Sequence, residues 1–494
     1  MSAPALLAAL PLAVILGGMV GLGRPAAQAG LAGLAVAAVL AVTAFDLGQA
    51  APGGLGAAAA GTALEAFHAT AVILWIILPA LALYEFQNRT GAILRIRDAL
   101  GGLTADRRAQ AILIAWFFGL FIEGAAGFGT PVALAAPLLV GLGYPPVRAV
   151  VLALLGHAAG VSFGAVGTPT LTQVELTGLA PAALAGRIAL IHAALAPGLL
   201  LLMVRLADEG PLTRHDVLNA GVAAAAFLVP SVALAALAGP EVPSLGGALV
   251  GVALFVLFLR RRGEGRVPRL RALLPDLAPY GVILALVLVT RLVDPLGAAL
   301  RSAAFAWTLE GGFTGRFEPL YHPGTLLFLG LALGAWMTGR VAALGPALGA
   351  ALVRLLPVAL ALGVMLALSR VMVHAGMIAA LAEAAARTGG AWPVLAPAVG
   401  VLGSFVTGSA TASNILFTDF QVSAARTLGL PDAPMTAAQG VGAAIGNIVA
   451  PHNIIAGSAT VGLVGREGDI LRRTALPCLL YVLAAGALTL LSVG

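Results

Sequence analysis

Apolar runs recur along the whole chain, from 4–23 and 28–45 at one end to 471–492 at the other. A helix of ~20 residues crosses the ~30 Å hydrocarbon core of a bilayer, where every backbone polar group must be paired within the protein. Composition supports that reading. The 494 residues carry only 27 basic and 21 acidic side chains, where a soluble chain of this length would hold roughly 25% charged residues. The 60% apolar content bounds the crossings at roughly 14. The expectation is an all-α integral membrane protein of about 12–14 spans. The apolar N-terminus has no basic residue ahead of it and is followed by many spans, so it reads as a first helix and not a cleaved signal.

Other classes fall away on the same numbers. One cysteine, Cys478, excludes an intrachain disulfide or a cysteine metal site. All 27 basic residues are arginine, and they sit in loops between apolar runs, which is a topogenic pattern and not a nucleic-acid surface. Arg89, Arg95, Arg97, Arg107 and Arg108 form one cluster; Arg260, Arg261, Arg262, Arg266, Arg269 and Arg271 form a second. Both loops are expected on the cytoplasmic side. The interval 294–322 balances its charges and reads as an external loop. His157, His374 and His452 have no zinc spacing and read as hydrogen-bonded structural residues; no metal or cofactor is expected.

Several apolar runs, among them 109–120, 131–143, 146–160, 394–406 and 436–450, are too short to span and are broken by Gly and Pro. Their spacing repeats. "EGAAGFGTP" at 123–131 is followed by "SFGAVGTP" at 162–169, and Gly127 to Gly164 is 37 residues. "TGSATASN" at 407–414 is followed by "IGNIVAPHN" at 445–453, and Gly408 to Gly446 is 38. The two pairs are offset by 281 and 282 residues. Interrupted helices at matching places in two halves point to a transporter binding site. The division expected is repeat 1 over 1–210, with a hairpin at 111–131 and a broken helix at 156–170. Connecting helices with the basic loop follow over 211–290. Repeat 2 covers 291–494, with a hairpin at 395–428 and a broken helix at 440–455.

Within these segments Glu123 stands out, because an intramembrane acid must be paired, protonated or facing water. It reads as a proton-coupling or substrate-linked carboxyl, or as a residue at a helix end near the interface. The glycines at 124, 127 and 129 before Pro131 imply a broken helix or re-entrant turn, whose free N–H groups suit a small carboxylate. Thr407, Ser409, Thr411, Ser413 and Asn414 add groups able to hold a carboxylate, a hydroxyl or sodium, or simply pack as small residues. Arg370 can fork onto a carboxylate or flank a span as a topology anchor. Gly160–Gly164 matches the hydrolase pattern G-x-S-x-G around Ser162, but no strand pattern surrounds it, so an enzyme is not expected.

At "FIEGAAGFGTPVALAAPLLVGLGYPP" (121–146), "VSFGAVGTP" (161–169), "LSRVMVHAGM" (368–377), "GSFVTGSATASNILF" (403–417), "IGNIVAPHNI" (445–454) and "ATVGLVGREGDILR" (459–472) the chain resembles the lactate permease family of bacterial inner-membrane transporters. The resemblance implies uptake of L-lactate, D-lactate or glycolate with protons. It also implies inverted-topology repeats with scaffold and transport regions, two re-entrant hairpins and dimeric elevator transport. The chain departs from the family pattern at Ala410 (usually Asp), Asn447 (usually Lys), Gly156-His157 (Asn-Thr) and His452-Asn453 (Gln-Ser). Residues and resemblance together mark Gly127, Phe128, Gly129, Thr130, Ser162, Gly164, Thr168, Arg370, Thr407, Gly408, Ser409, Thr411, Ser413, Asn414, Asn447 and His452 for substrate, and Glu123 for the proton. The partners expected are a small carboxylate, a proton (with sodium as the alternative), the lipid bilayer and a second copy of the chain. The rival functions are a sodium-coupled carrier of another organic anion and an anion channel.

Overall fold

A computed structural model describes residues 2–127, 129–264 and 270–493. Phe128, and Arg266, Arg269 and the Arg271 side chain of the second basic cluster, lie outside the described residues. Twelve helices among the described residues are long and apolar enough to cross a membrane. Three shorter apolar helices, Thr130–Gly141, Pro323–Met337 and Met377–Ala386, complete the bundle.

Two long helices, Gly54–Arg89 and Leu344–His374, lie antiparallel, as two polar side-chain contacts show. Arg354 Nη1 meets Glu85 Oε1 at 2.7 Å, and His374 Nε2 meets Glu65 Oε2 at 2.7 Å. Glu65 and Glu85 are 20 residues apart, as are Arg354 and His374. That separation is about 30 Å of helix, the thickness of the hydrocarbon core. The polar pairs therefore sit where an apolar stretch would meet water at both ends. At the Glu85 end the first basic cluster is drawn into pairs. Asp276 holds Arg95 at 2.6 Å and Arg340 at 2.8 Å, and Arg108 reaches Asp216 at 2.5 Å.

The interval 294–322 is not a plain loop. It forms a short helix, Asp294–Arg301, and an antiparallel ribbon of Phe305–Thr308 with Thr314–Phe317. Gly311 and Gly312, at φ +94° and +83°, make the turn that side chains would resist. The ribbon is anchored because Phe313 is fully buried, packs tilted against His374 with ring centroids 4.6 Å apart and fills the notch left by Gly61. The Thr314 N–H donates to Glu65 at 2.9 Å. Charge balance alone could not reveal this, because the anchoring contacts come from helices some 250 and 60 residues away.

One order of elements occurs twice. A helix pair joined by a glycine turn is followed by a broken helix and then by a long helix. The first series is Arg107–Ala125 with Thr130–Gly141, then Pro146–Thr177, then Pro181–Ala207. The second is Gly389–Thr407 with Ala410–Thr427, then Asp432–Gly446 with Pro451–Thr460, then Glu467–Val493. The first hairpin runs on to Gly141, beyond the expected end at 131, because Pro131 stands in the first turn of a helix, where its missing N–H costs nothing.

Candidate functional site

Four chain interruptions meet in the interior. The first hairpin turns at Gly127 (φ +57°) and Gly129 (φ +76°), the second at Gly408 (φ +71°). These positive φ values favour glycine, and the neighbours approach closely enough to crowd any side chain. A Cβ on Gly127 would lie 3.2 Å from Ala165, one on Gly129 would lie 3.0 Å from Asn453 Oδ1, and one on Gly408 would lie 2.7 Å from His452 Cβ. The first tip thus rests on both interrupted helices and the second tip on the later one.

The first break runs through a 3-10 segment, Ala158–Phe163, into Ala165, Val166 and Gly167 at φ +43°, +54° and +82°. A β-branched valine there is strained, and strain of this kind persists only where the surroundings over-determine it. Here they do. Thr168 Oγ1 donates to Ala165 O at 2.6 Å, Thr170 Oγ1 to Ser162 O at 2.7 Å, and Asn414 Nδ2 from the second hairpin to Pro169 O at 3.0 Å. The second break lies between Gly446 and Pro451. Asn453 Nδ2 closes it by donating to Asn447 O at 3.2 Å and Asn447 Oδ1 at 2.8 Å. Its own Oδ1 is buried without a partner.

The helices that begin at Thr130, Ala410 and Pro451 all start beside this meeting point. Helix N-termini present unpaired N–H groups and a partial positive charge, which suits an anion. Ser409 caps one of them, accepting from Ala412 N at 3.3 Å. Gly129, Thr407, Gly408 and Ser409 are half-buried and His452 is exposed, so the point opens on one side.

Glu123 lies behind the first tip and is 5% exposed. Its Oε2 is 3.9 Å from His157 Nε2, and its carboxyl presses on Gly164, where any Cβ would overlap it. His157 Nδ1 bonds Ala153 O at 2.6 Å.

The expected ligand groups divide. Gly127, Gly129, Thr130, Gly164, Thr168, Gly408, Ser409, Asn447 and His452 gather at the tips and breaks. Ser413 is spent inside, donating to Gly400 O at 2.8 Å and accepting from Gln439 at 3.2 Å. Thr407 donates to Gly403 O at 2.8 Å, and Thr411 is buried in the first turn after the tip. Arg370 pairs with Asp419 of the second hairpin's outgoing helix, a partner that sequence reading missed. The available signal was a weaker form of the one used for Glu123, a lone acid in a helix of a largely apolar chain.

Ser162 Oγ lies 3.0 Å from His192 Nε2, and His192 Nδ1 lies 2.6 Å from Tyr481. The chain imitates a nucleophile and base, but Ser162 is 1% exposed on helical turns. It ties the first break to the long helices Pro181–Ala207 and Glu467–Val493.

A bundle with twelve crossing-length helices among the described residues and paired interruptions meeting in its interior has the form of a multi-pass membrane transporter. The L-lactate permease family model matches residues 4–271 and 305–494, and the chain belongs to that family of inner-membrane transporters. The L-lactate permease of Salmonella typhimurium is 30% identical over 86% of this chain and 85% of its own. The glycolate permease GlcA of Escherichia coli K12 is 31% identical over 85% of this chain and 84% of its own. Among solved structures, the YdaH transporter of Alcanivorax borkumensis shares the fold, with a TM-score of 0.50 and 16% identity, covering 88% of this chain and 87% of that one.

Proposed function

We propose that this chain is a secondary active transporter of small 2-hydroxy monocarboxylates such as L-lactate, D-lactate or glycolate, working by proton symport. The observation that carries the reading is the convergence of two hairpin tips and three helix N-termini in front of a buried carboxyl. The N-termini would take the substrate carboxylate. Glu123, whose nearest basic group is the His157 imidazole 3.9 Å away, would take the proton. Relatives named as permeases of L-lactate and glycolate supply the substrate class.

Alternating access would move the hairpins, entering as re-entrant pairs, with their broken helices against the scaffold of Gly54–Arg89 and Leu344–His374, in the elevator manner. The repeats would be 1–210 and 291–494, inverted in topology and joined by 211–290, and the working unit a homodimer. One observation favours a second reading. The unpartnered Asn453 Oδ1 is a ready oxygen ligand for sodium, which would then be the coupling ion. Proteoliposome uptake of labelled lactate, glycolate and an unhydroxylated acid, with proton and sodium gradients imposed separately, tests both. Accumulation driven by the proton gradient alone is the expected result. Accumulation that follows only sodium replaces the proton, and uptake that never exceeds equilibrium makes the chain a channel.

A further inference from the structure

An apolar groove of about 260 Å³ lies between the first hairpin and the helices Pro243–Arg261 and Ala272–Leu292, beside the short helix Ala92–Gly101. Phe117 and Phe121 of the hairpin form one wall, and Leu249, Val252 and Val256 form the other. Every lining residue is apolar except Arg260, in the last turn of Pro243–Arg261. Arg260 is exposed and makes no hydrogen bond or ion pair among the described residues, whereas its neighbour Arg262 is held by Glu264 at 2.9 Å.

From Leu249 to Arg260 the groove follows eleven residues of helix, about 17 Å, which is close to the depth of one leaflet. Its lining residues Ile96 and Leu277 adjoin in sequence Arg95 and Asp276, which pair with each other and with Arg340 at the polar end of the bundle. An apolar slot of leaflet depth ending at a guanidinium with no partner among the described residues is complementary to one lipid. We propose that the groove binds an acyl chain of an anionic phospholipid, with the headgroup phosphate on Arg260. Lipid tails are as apolar as the groove, so the slot selects by shape and supplies little driving force. Discrimination rests on the arginine and the negative headgroup. Because Phe117 and Phe121 belong to the helix that carries Glu123, the lipid packs between the hairpin and the helix behind it.

Native mass spectrometry of the purified protein in micelles doped equally with phosphatidylglycerol and phosphatidylcholine reads this directly, without reference to transport. Phosphatidylglycerol should be retained in preference. Arg260→Gln should lower that preference about fivefold, the share of one arginine at a charged membrane surface. Val252→Trp, which fills the slot, should remove the bound lipid. Should the tryptophan variant fail to fold, Arg260→Gln carries the test alone, since that side chain is exposed and holds no partner among the described residues. Equal retention of the two lipids, or wild-type preference in Arg260→Gln, overturns the proposal. So does a change of oligomeric state in Val252→Trp with lipid retention intact, which would make the groove a protein interface.

Discussion

Gly164→Ala isolates the contact between the first break and Glu123. Gly164 has φ −66° and ψ +157°, which alanine adopts freely, so no backbone strain enters. The added Cβ would stand 3.1 Å from Glu123 Cδ and 3.5 Å from Cγ, and nearer still to Oε1. The glutamate cannot simply withdraw. His157 stands on its other oxygen, and the helix behind it is already in backbone contact, since a Cβ on Gly124 would lie 2.8 Å from Leu245 Cα. Forcing one methyl into such packing costs about 1–3 kcal/mol. We expect Gly164→Ala to lower the melting temperature in detergent and to cut proton-driven uptake in proteoliposomes. Glu123→Asp, one methylene shorter, draws the carboxyl back, so the double variant should recover at least half of the stability lost by Gly164→Ala. Gly198→Ala and Gly221→Ala, where nothing stands within 4 Å, serve as controls and should change neither readout by that route. A wild-type melting temperature in Gly164→Ala, or strictly additive losses in the double variant, would refute the contact.

Glu123→Gln should abolish uphill uptake while leaving substrate exchange, because exchange need not deprotonate the carrier; unchanged proton-driven accumulation rules the role out. Arg370→Gln and Asp419→Asn should each lower stability by about 3–5 kcal/mol at most, as each strands a partly buried charge. The double variant should regain much of that loss, and if it regains stability but not transport, Arg370 serves the substrate as well. Ala410 packs with Val161, Ala443 and Ala444, one turn before Asn447, so the Asp and Lys usual in the family would be neighbours here. Ala410→Asp and Asn447→Lys should each damage folding, and together should recover it with a coupling of about 1–3 kcal/mol; additive damage by thermal stability and uptake would separate the two positions.

The membrane class, the helical architecture and the places where the helices break are legible in the chain itself. Apolar length and the Gly and Pro interruptions are local properties, and a backbone in lipid has no alternative to internal pairing. The matched spacing of Gly127, Gly164, Gly408 and Gly446 likewise marked both tips and both breaks. Which polar groups remain available was not legible. Ser413 and Thr407 look like ligands in sequence, yet their hydroxyls are taken up within the second hairpin and its neighbouring helix, while Asn453 retains an unmet oxygen. Nor did any pattern foretell that Asp419 would meet Arg370, or that residues 305–317 would fold onto Glu65 and His374. Those outcomes depend on contacts between segments tens to hundreds of residues apart, and a hydrogen-bonding group does not carry in its own sequence neighbourhood the identity of the partner that satisfies it.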